Sequence, residues 1–214
     1  MKNAVKEKLN YLLVVVALSF ISLVKAPDDK FSTGVYMSFD ELKSGKPTNH
    51  CRLVVEGRSE DTQFWWGGSD YKLTSPDKCI SKGDITREAW AYADDSAMYI
   101  NCKKMQLEQY AYARIISSGR FLVFSNKTLK EFIAANMFWG GIVAGAIAKG
   151  STDQPFDLTL YSVDTRSAKL FMVDSAYLER TLKEYPLIYT EFRKESDKND
   201  VKVHLKYLQM ANKE

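Results

Sequence analysis

The segment Glu88–Asn101 constrains the fold more than any other. It reads EAWAYADDSAMYIN, two runs of period two joined by Asp94, Asp95 and Ser96. Period-two alternation marks a half-buried strand, and two such runs around a short polar turn make a β-hairpin. Successive side chains of a strand point to opposite faces. The spacing therefore puts Trp90 and Tyr92 on one face and Ala89, Ala91 and Ala93 on the other. Tyr110–Ile116 repeats the design, with Tyr110, Tyr112 and Arg114 opposite Ala111 and Ala113. Ser117-Ser118-Gly119 then turns the chain into the apolar run Arg120–Ser125. Consecutive strands of this kind commit the chain to an antiparallel sheet.

The rest of the chain fits around that sheet. Ser38-Phe39-Asp40-Glu41 has the S-x-x-E form of a capping box, which predicts a short helix from Phe39 stopped by Gly45 and Pro47. Arg52–Glu56 reads as a strand, and Gln63–Trp66 as another ended by Gly67-Gly68. From Thr128 the period lengthens. Leu129, Phe132, Ile133 and Met137 are spaced as on a helix face that runs into the apolar stretch Met137–Ala148. Phe156–Val163 and Lys169–Val173 form a second hairpin around Asp164–Ser167. Ser175–Glu184, the segment after Pro186 and Val201–Ala211 are helical. No repeat period and no Ser/Gly/Pro-rich linker divides residues 27–214. The expectation is one α+β domain with an antiparallel sheet of about six to eight strands and C-terminal helices. Small residues allow close approach, so the Gly140–Ala148 helix is expected on the alanine face of the sheet.

The first 26 residues stand apart. Lys2, Lys6 and Lys8 precede an uncharged run, Leu12–Val24, of 13 residues. This is the layout of a secretory signal, and the run falls short of the ~20 residues that a spanning helix needs. Cleavage after Ala26 is expected, with export to the periplasm or the medium. The segment also carries the whole formal charge of +3, so residues 27–214 are neutral overall. That balance argues against nucleic acid as a ligand. In an oxidising space two of Cys51, Cys79 and Cys102 pair, with all three pairings open, or the three serve as small buried hydrophobes.

Catalytic and metal-binding patterns are hard to find. His50 and Cys51 are adjacent, so on a strand their side chains diverge and form no dyad. His204 lies on the edge of an apolar helix stripe. Two histidines and three scattered cysteines give no metal-ligand spacing. Gly140 and Gly145 have phosphate-loop spacing, but Ala146 follows where a lysine is needed. No G-x-S-x-G elbow is present. No cofactor, metal or catalytic residue is expected. The Phe64-Trp65-Trp66 cluster is the one binding candidate. On a strand Trp65 and Trp66 face opposite ways, so one can reach a sugar or a partner.

Four segments carry a resemblance to a family. They are Gly34-Val35-Tyr36-Met37-Ser38-Phe39-Asp40-Glu41-Leu42 with Lys46-Pro47; the hairpin Ala89–Asp94 and Met98–Asn101; Arg120-Phe121 with the Gly/Ala stretch; and Leu158–Asp164 with Lys169 and Tyr177–Tyr185. Together they span most of residues 33–212. The chain resembles a family of exported Bacteroidetes proteins known only as a domain of unknown function. The resemblance implies export and a shared fold, and no activity or ligand.

The functional expectation is a non-catalytic envelope or secreted module that binds a protein or glycan partner through an aromatic surface. A first alternative is an envelope hydrolase, which would need a cleft holding two carboxylates roughly 5–10 Å apart. A second is membrane contact through residues 137–148.

Overall fold

The computed structural model describes residues 31–59, 70–107, 111–129 and 156–214. The leader segment, the Trp65-Trp66 cluster and the Gly/Ala stretch with its expected packing therefore lie outside the described residues.

Strand β1 (Gly34–Tyr36) leads into helix α1 (Phe39–Ser44). Ser38 Oγ accepts from the Glu41 amide, Glu41 Oε2 accepts from the Met37 amide, and Gly45 ends the helix at φ 70°. The Ser38 bond is the forward half of a capping box, the Glu41 carboxylate reaches back one residue further, to the amide before the cap, and Gly45 is a left-handed C-terminal stop. Strands β2 (Val54–Gly57) and β3 (Tyr71–Thr74) pair with each other. A π-helical turn, Asp84–Glu88, precedes β4 (Ala91–Ala93) and β5 (Met98–Asn101). Then come β6 (Tyr112–Ser117), β7 (Phe121–Leu129), β8 (Phe156–Asp164) and β9 (Lys169–Met172). Helix α2 (Ser175–Thr181), a 3-10 turn at Leu182–Glu184, α3 (Pro186–Arg193) and α4 (Val201–Ala211) close the chain.

The nine strands among the described residues belong to one antiparallel sheet of order β1-β4-β5-β6-β7-β8-β9, with β3 also on β6 and β2 beyond it. Tyr112 is the branch point, since it pairs with both Asn101 and Tyr71. The register slips between Ile115 and Ser117, where β6 passes to β7. A bulge of this kind bends a strand and lets the sheet twist away from its first half.

Three apolar clusters follow from the alternation. Ala91, Ala93, Ile100, Ala113, Leu122 and Phe124 share one core with Leu42 of α1. Phe121 and Val123 point the other way, onto Leu178, Leu182, Phe192 and Leu208 of the helical layer. The first half of β7 is thus buried on both faces, which is why Phe121–Phe124 is a continuous apolar run. The third core holds Val35, Leu53, Leu73, Tyr92, Tyr99 and Tyr112.

Two local readings need correction, and strand β3 is an element that the sequence reading did not assign. Ala89 packs with Tyr92, and Trp90 lies against the core of Ala91 and Ala93. The chain leaves the π-helical turn at Glu88, so strict alternation begins only at Ala91. Thr128 and Leu129 continue β7, because their partners Asp157 and Phe156 extend the ladder. Strand β3 does alternate, with Tyr71 and Leu73 on the third core and Lys72 and Thr74 on the other face, but over only four residues. Its Lys72 and Thr74 side chains both reach Glu56 across the pair.

The π-helical turn is held by side chains from the sheet. Asn101 is buried, and its Nδ2 donates to the carbonyls of Ala89 (2.8 Å), Ile85 (3.3 Å) and Thr86 (3.4 Å). The Tyr112 hydroxyl also donates to the Ile85 carbonyl. Buried carbonyls that leave the ordinary helical ladder need such donors. Burial pushes the Tyr112 hydroxyl well above its usual pKa.

Candidate functional site

The described residues converge on a pocket at the end of the β7–β8 hairpin, under α2 and the 3-10 turn. Its volume is about 230 Å³. Arg120 forms its floor. The residue stands in the β6–β7 turn, directly before β7. Its carbonyl accepts from both the amide and the hydroxyl of Thr165 at 2.9 Å, which fixes the backbone against the β8–β9 turn.

The guanidinium is oriented by almost everything around it. Nη1 donates to Glu184 Oε2 (2.5 Å) and Nη2 to Glu184 Oε1 (2.9 Å), a bidentate pair. Nη1 also donates to the Tyr185 hydroxyl (3.1 Å), and Nη2 lies 3.5 Å from Asp164 Oδ2. The cation sits 4.9 Å from the Phe121 ring centre and 5.8 Å from that of Tyr185. Bidentate pairing and ring stacking both exploit the flat guanidinium, so lysine is no equivalent here. The hydrogen bonds from Arg120 hold the Glu184 carboxylate below its ordinary pKa and strengthen the protonated form of Arg120. Arg120 Nε is buried without a hydrogen-bond partner among the described residues.

An aromatic wall stands beside this charged cluster. The Phe171 and Tyr177 rings are stacked, with centres 5.2 Å apart and planes at 29°. The Tyr177 hydroxyl donates to Ser162 Oγ (3.2 Å), and burial raises its pKa. Thr181 and Arg180 of α2 complete the rim.

Sequence reasoning assigned no role to Arg120, Asp164, Arg180 or Glu184. Pattern alone gives an arginine before an apolar strand, an aspartate in a turn and two charges on a helix. Their convergence depends on the register Phe121↔Asp164, which no local signal announces. The four do fall inside the segments that carried the family resemblance.

The other sequence candidates sit elsewhere. Cys51 and Cys79 form a disulfide, with Cα atoms 5.9 Å apart. Cys102 is a buried thiol in the first core. With Cys51 in a disulfide, no thiolate is available beside His50, which is exposed, its Nδ1 lying 3.4 Å from the Thr33 carbonyl. His204 is buried on α4, with Nε2 2.7 Å from the Lys198 carbonyl. Asp77, Cys51 and Cys79 place three donor atoms within 4.8 Å of one another, but the two sulfurs are bonded to each other. Asp77 accepts from the Ser75 hydroxyl (2.9 Å) and the Cys79 amide (3.2 Å), which lower its carboxyl pKa. No helix among the described residues is long and apolar enough to cross a membrane.

These features define an α+β domain with a small mixed-charge and aromatic pocket between its sheet and its helical layer. Residues 34–214 match the profile of a "Family of unknown function (DUF6563)", and the chain belongs to that family. Neither the curated proteins nor the solved structures contain a match to the chain.

Proposed function

We propose that the protein is a non-catalytic module, exported to the envelope or the medium, that binds a glycan. The observation that carries this reading is the pocket, where an aromatic wall of Phe171 and Tyr177 adjoins polar groups fixed by Arg120. Sugars are recognised by this combination, an apolar ring face on one side and rigid hydrogen-bonding groups on the other. Export is supported by the leader pattern in residues 1–26 and by the Cys51–Cys79 disulfide, which suits an oxidising compartment. We extend export to the family as a whole. The Trp65-Trp66 cluster remains a second proposed contact for a partner.

One observation favours the hydrolase reading: Asp164 and Glu184 lie on a single guanidinium and are therefore close together. Their chemistry points away from it. A general acid at neutral pH needs a raised carboxyl pKa, whereas Arg120 drives that of Glu184 down. Both carboxylates are engaged with a cation that is itself locked in place, so neither is poised to attack or to protonate a leaving group.

The test uses purified full-length protein and a panel of envelope polysaccharides and peptidoglycan fragments. Retention of a glycan with no new reducing ends after prolonged incubation is the expected result. Release of products would replace the binding module with a hydrolase. Retention of no glycan in the panel would overturn the glycan reading.

A further inference from the structure

The charges around the pocket are unequally satisfied. Arg120 is neutralised by Glu184 and Asp164, and Arg166 also approaches Glu184, at 3.5 Å. Arg180 lines the same pocket, is exposed, and has neither an ion-pair nor a hydrogen-bond partner among the described residues. One uncompensated cation therefore stands at the mouth of an otherwise balanced site. A guanidinium in that position matches a carboxylate, which it can hold through two parallel hydrogen bonds.

The rest of the wall specifies what bears the carboxylate. Phe171, half-buried and stacked on the buried Tyr177 ring, offers a flat apolar face. Asp164 and Glu184 line the same pocket and are acceptors only, each with lone pairs beyond those used by Arg120 and Arg166. A purely apolar ring would cover those remaining lone pairs without supplying donors, which is costly. A ring edged with hydroxyl groups supplies the donors, and Thr181 adds a further hydroxyl partner. The volume of about 230 Å³ is below that of ordinary drug-sized sites and suits one ring.

We infer that the pocket binds a carboxylated sugar ring, with Arg180 pairing its carboxylate, Asp164 and Glu184 accepting its hydroxyls, and Phe171, backed by Tyr177, stacking on its face. The inference rests on the glycan-binding reading and names its ligand class. A uronic acid and a lactyl-bearing amino sugar share this chemistry.

Binding is measured by calorimetry on the full-length protein at low ionic strength, with D-glucuronate, D-galacturonate, N-acetylmuramate, D-glucose and benzoate as probes. At least one carboxylated sugar binds more than tenfold tighter than glucose and than benzoate, and the best of the three identifies the source. Arg180→Gln, an exposed change that leaves the unfolding temperature in place, weakens that sugar about tenfold or more and leaves glucose unaffected. Phe171→Leu weakens all sugars alike. Carboxylated sugars that bind no better than glucose overturn the inference, and so does an Arg180→Gln protein that retains full affinity. If envelope glycans are still captured in either case, the inference about this pocket fails and the binding module stands. If the sugars bind and linked glycans are cleaved, the ligand class stands and the non-catalytic reading fails.

Discussion

Arg120 and Glu184 are joined by two parallel hydrogen bonds, Nη1 to Oε2 at 2.5 Å and Nη2 to Oε1 at 2.9 Å, and they tie the last residue of the β6–β7 turn to the 3-10 turn after α2. The two ends of this pair are not equivalent. The Arg120 side chain is 15% exposed and that of Glu184 is 54% exposed. Removing the carboxylate leaves Arg120 with Asp164 and Tyr185, whereas removing the cation leaves Asp164 and Glu184 facing each other. Glu184→Gln should cost about 0.5–1 kcal/mol and Arg120→Met about 2–3 kcal/mol, read from urea unfolding at pH 7. Equal costs would show that the pair acts as an ordinary surface ion pair.

The same pair predicts a pH dependence. Arg120 holds the folded-state pKa of Glu184 below its ordinary value of 4.5. A depressed carboxyl contributes stability above its unfolded pKa and loses it as the pH falls through the folded value. The difference between wild type and Glu184→Gln should be constant from pH 7 down to about pH 5, then close below 4.5. Urea midpoints at pH 7, 5 and 3 check this. A difference that persists at pH 3 would mean that the glutamine itself, not the lost charge, is responsible.

Gly119 and Asn212 should be energetically coupled. Asn212 caps α4, accepts from the Phe121 amide (2.8 Å), and donates to the Phe121 carbonyl (2.8 Å) and to Ser117 Oγ (2.9 Å). Gly119 has φ +155°, and a Cβ there would fall 2.8 Å from the Asn212 side chain. Asn212→Ala should cost about 2–3 kcal/mol through the lost hydrogen bonds, and Gly119→Ala a similar amount through strain and collision. The double variant should be less destabilised than the sum by about 1 kcal/mol, because the truncated side chain makes room. Strict additivity in guanidinium unfolding would mean that the backbone strain alone sets the cost at Gly119.

What the sequence discloses here is mostly local. Ser38 and Glu41, the turn at Asp94–Ser96 and the β8–β9 hairpin are short-range devices, and each is written in adjacent residues. Asp94 shows why: its Oδ1 accepts from the amides of Ser96 (2.8 Å) and Ala97 (2.7 Å), so the turn closes on itself. The α+β class follows from such pieces. Strand β3 was hidden because its alternation, Tyr71 and Leu73 inward and Lys72 and Thr74 outward, lasts only four residues. The π-helical turn depends on Asn101 and Tyr112, which lie on β5 and β6, beyond the reach of any local pattern. The pocket is hidden for the same reason. Arg120, Asp164, Arg180 and Glu184 meet only after β7 and β8 pair in register and α2 folds over their ends.

The Cys51–Cys79 disulfide gives the most direct test of both stability and compartment. It closes a loop with a sequence separation of 28 and fixes Cys51 in the core of Leu53, Leu73 and Ile80. Loop closure of that length should contribute about 3–4 kcal/mol, chiefly by restricting the unfolded chain. Reduction should therefore lower the unfolding temperature by many degrees. The Cys51→Ser/Cys79→Ser double variant should start at the reduced value and no longer respond to reductant. Cys102→Ser should lose stability by repacking yet keep the full response, since its sulfur lies outside the bridge. An unfolding temperature indifferent to reductant would remove the bridge from the energetics. Intact mass of the protein from fractionated cells then reads the compartment. A chain beginning near Pro27, with two cysteines protected until reduced, is the expected species. A full-length chain with three alkylatable thiols would refute export, because a reducing compartment would leave the bridge open.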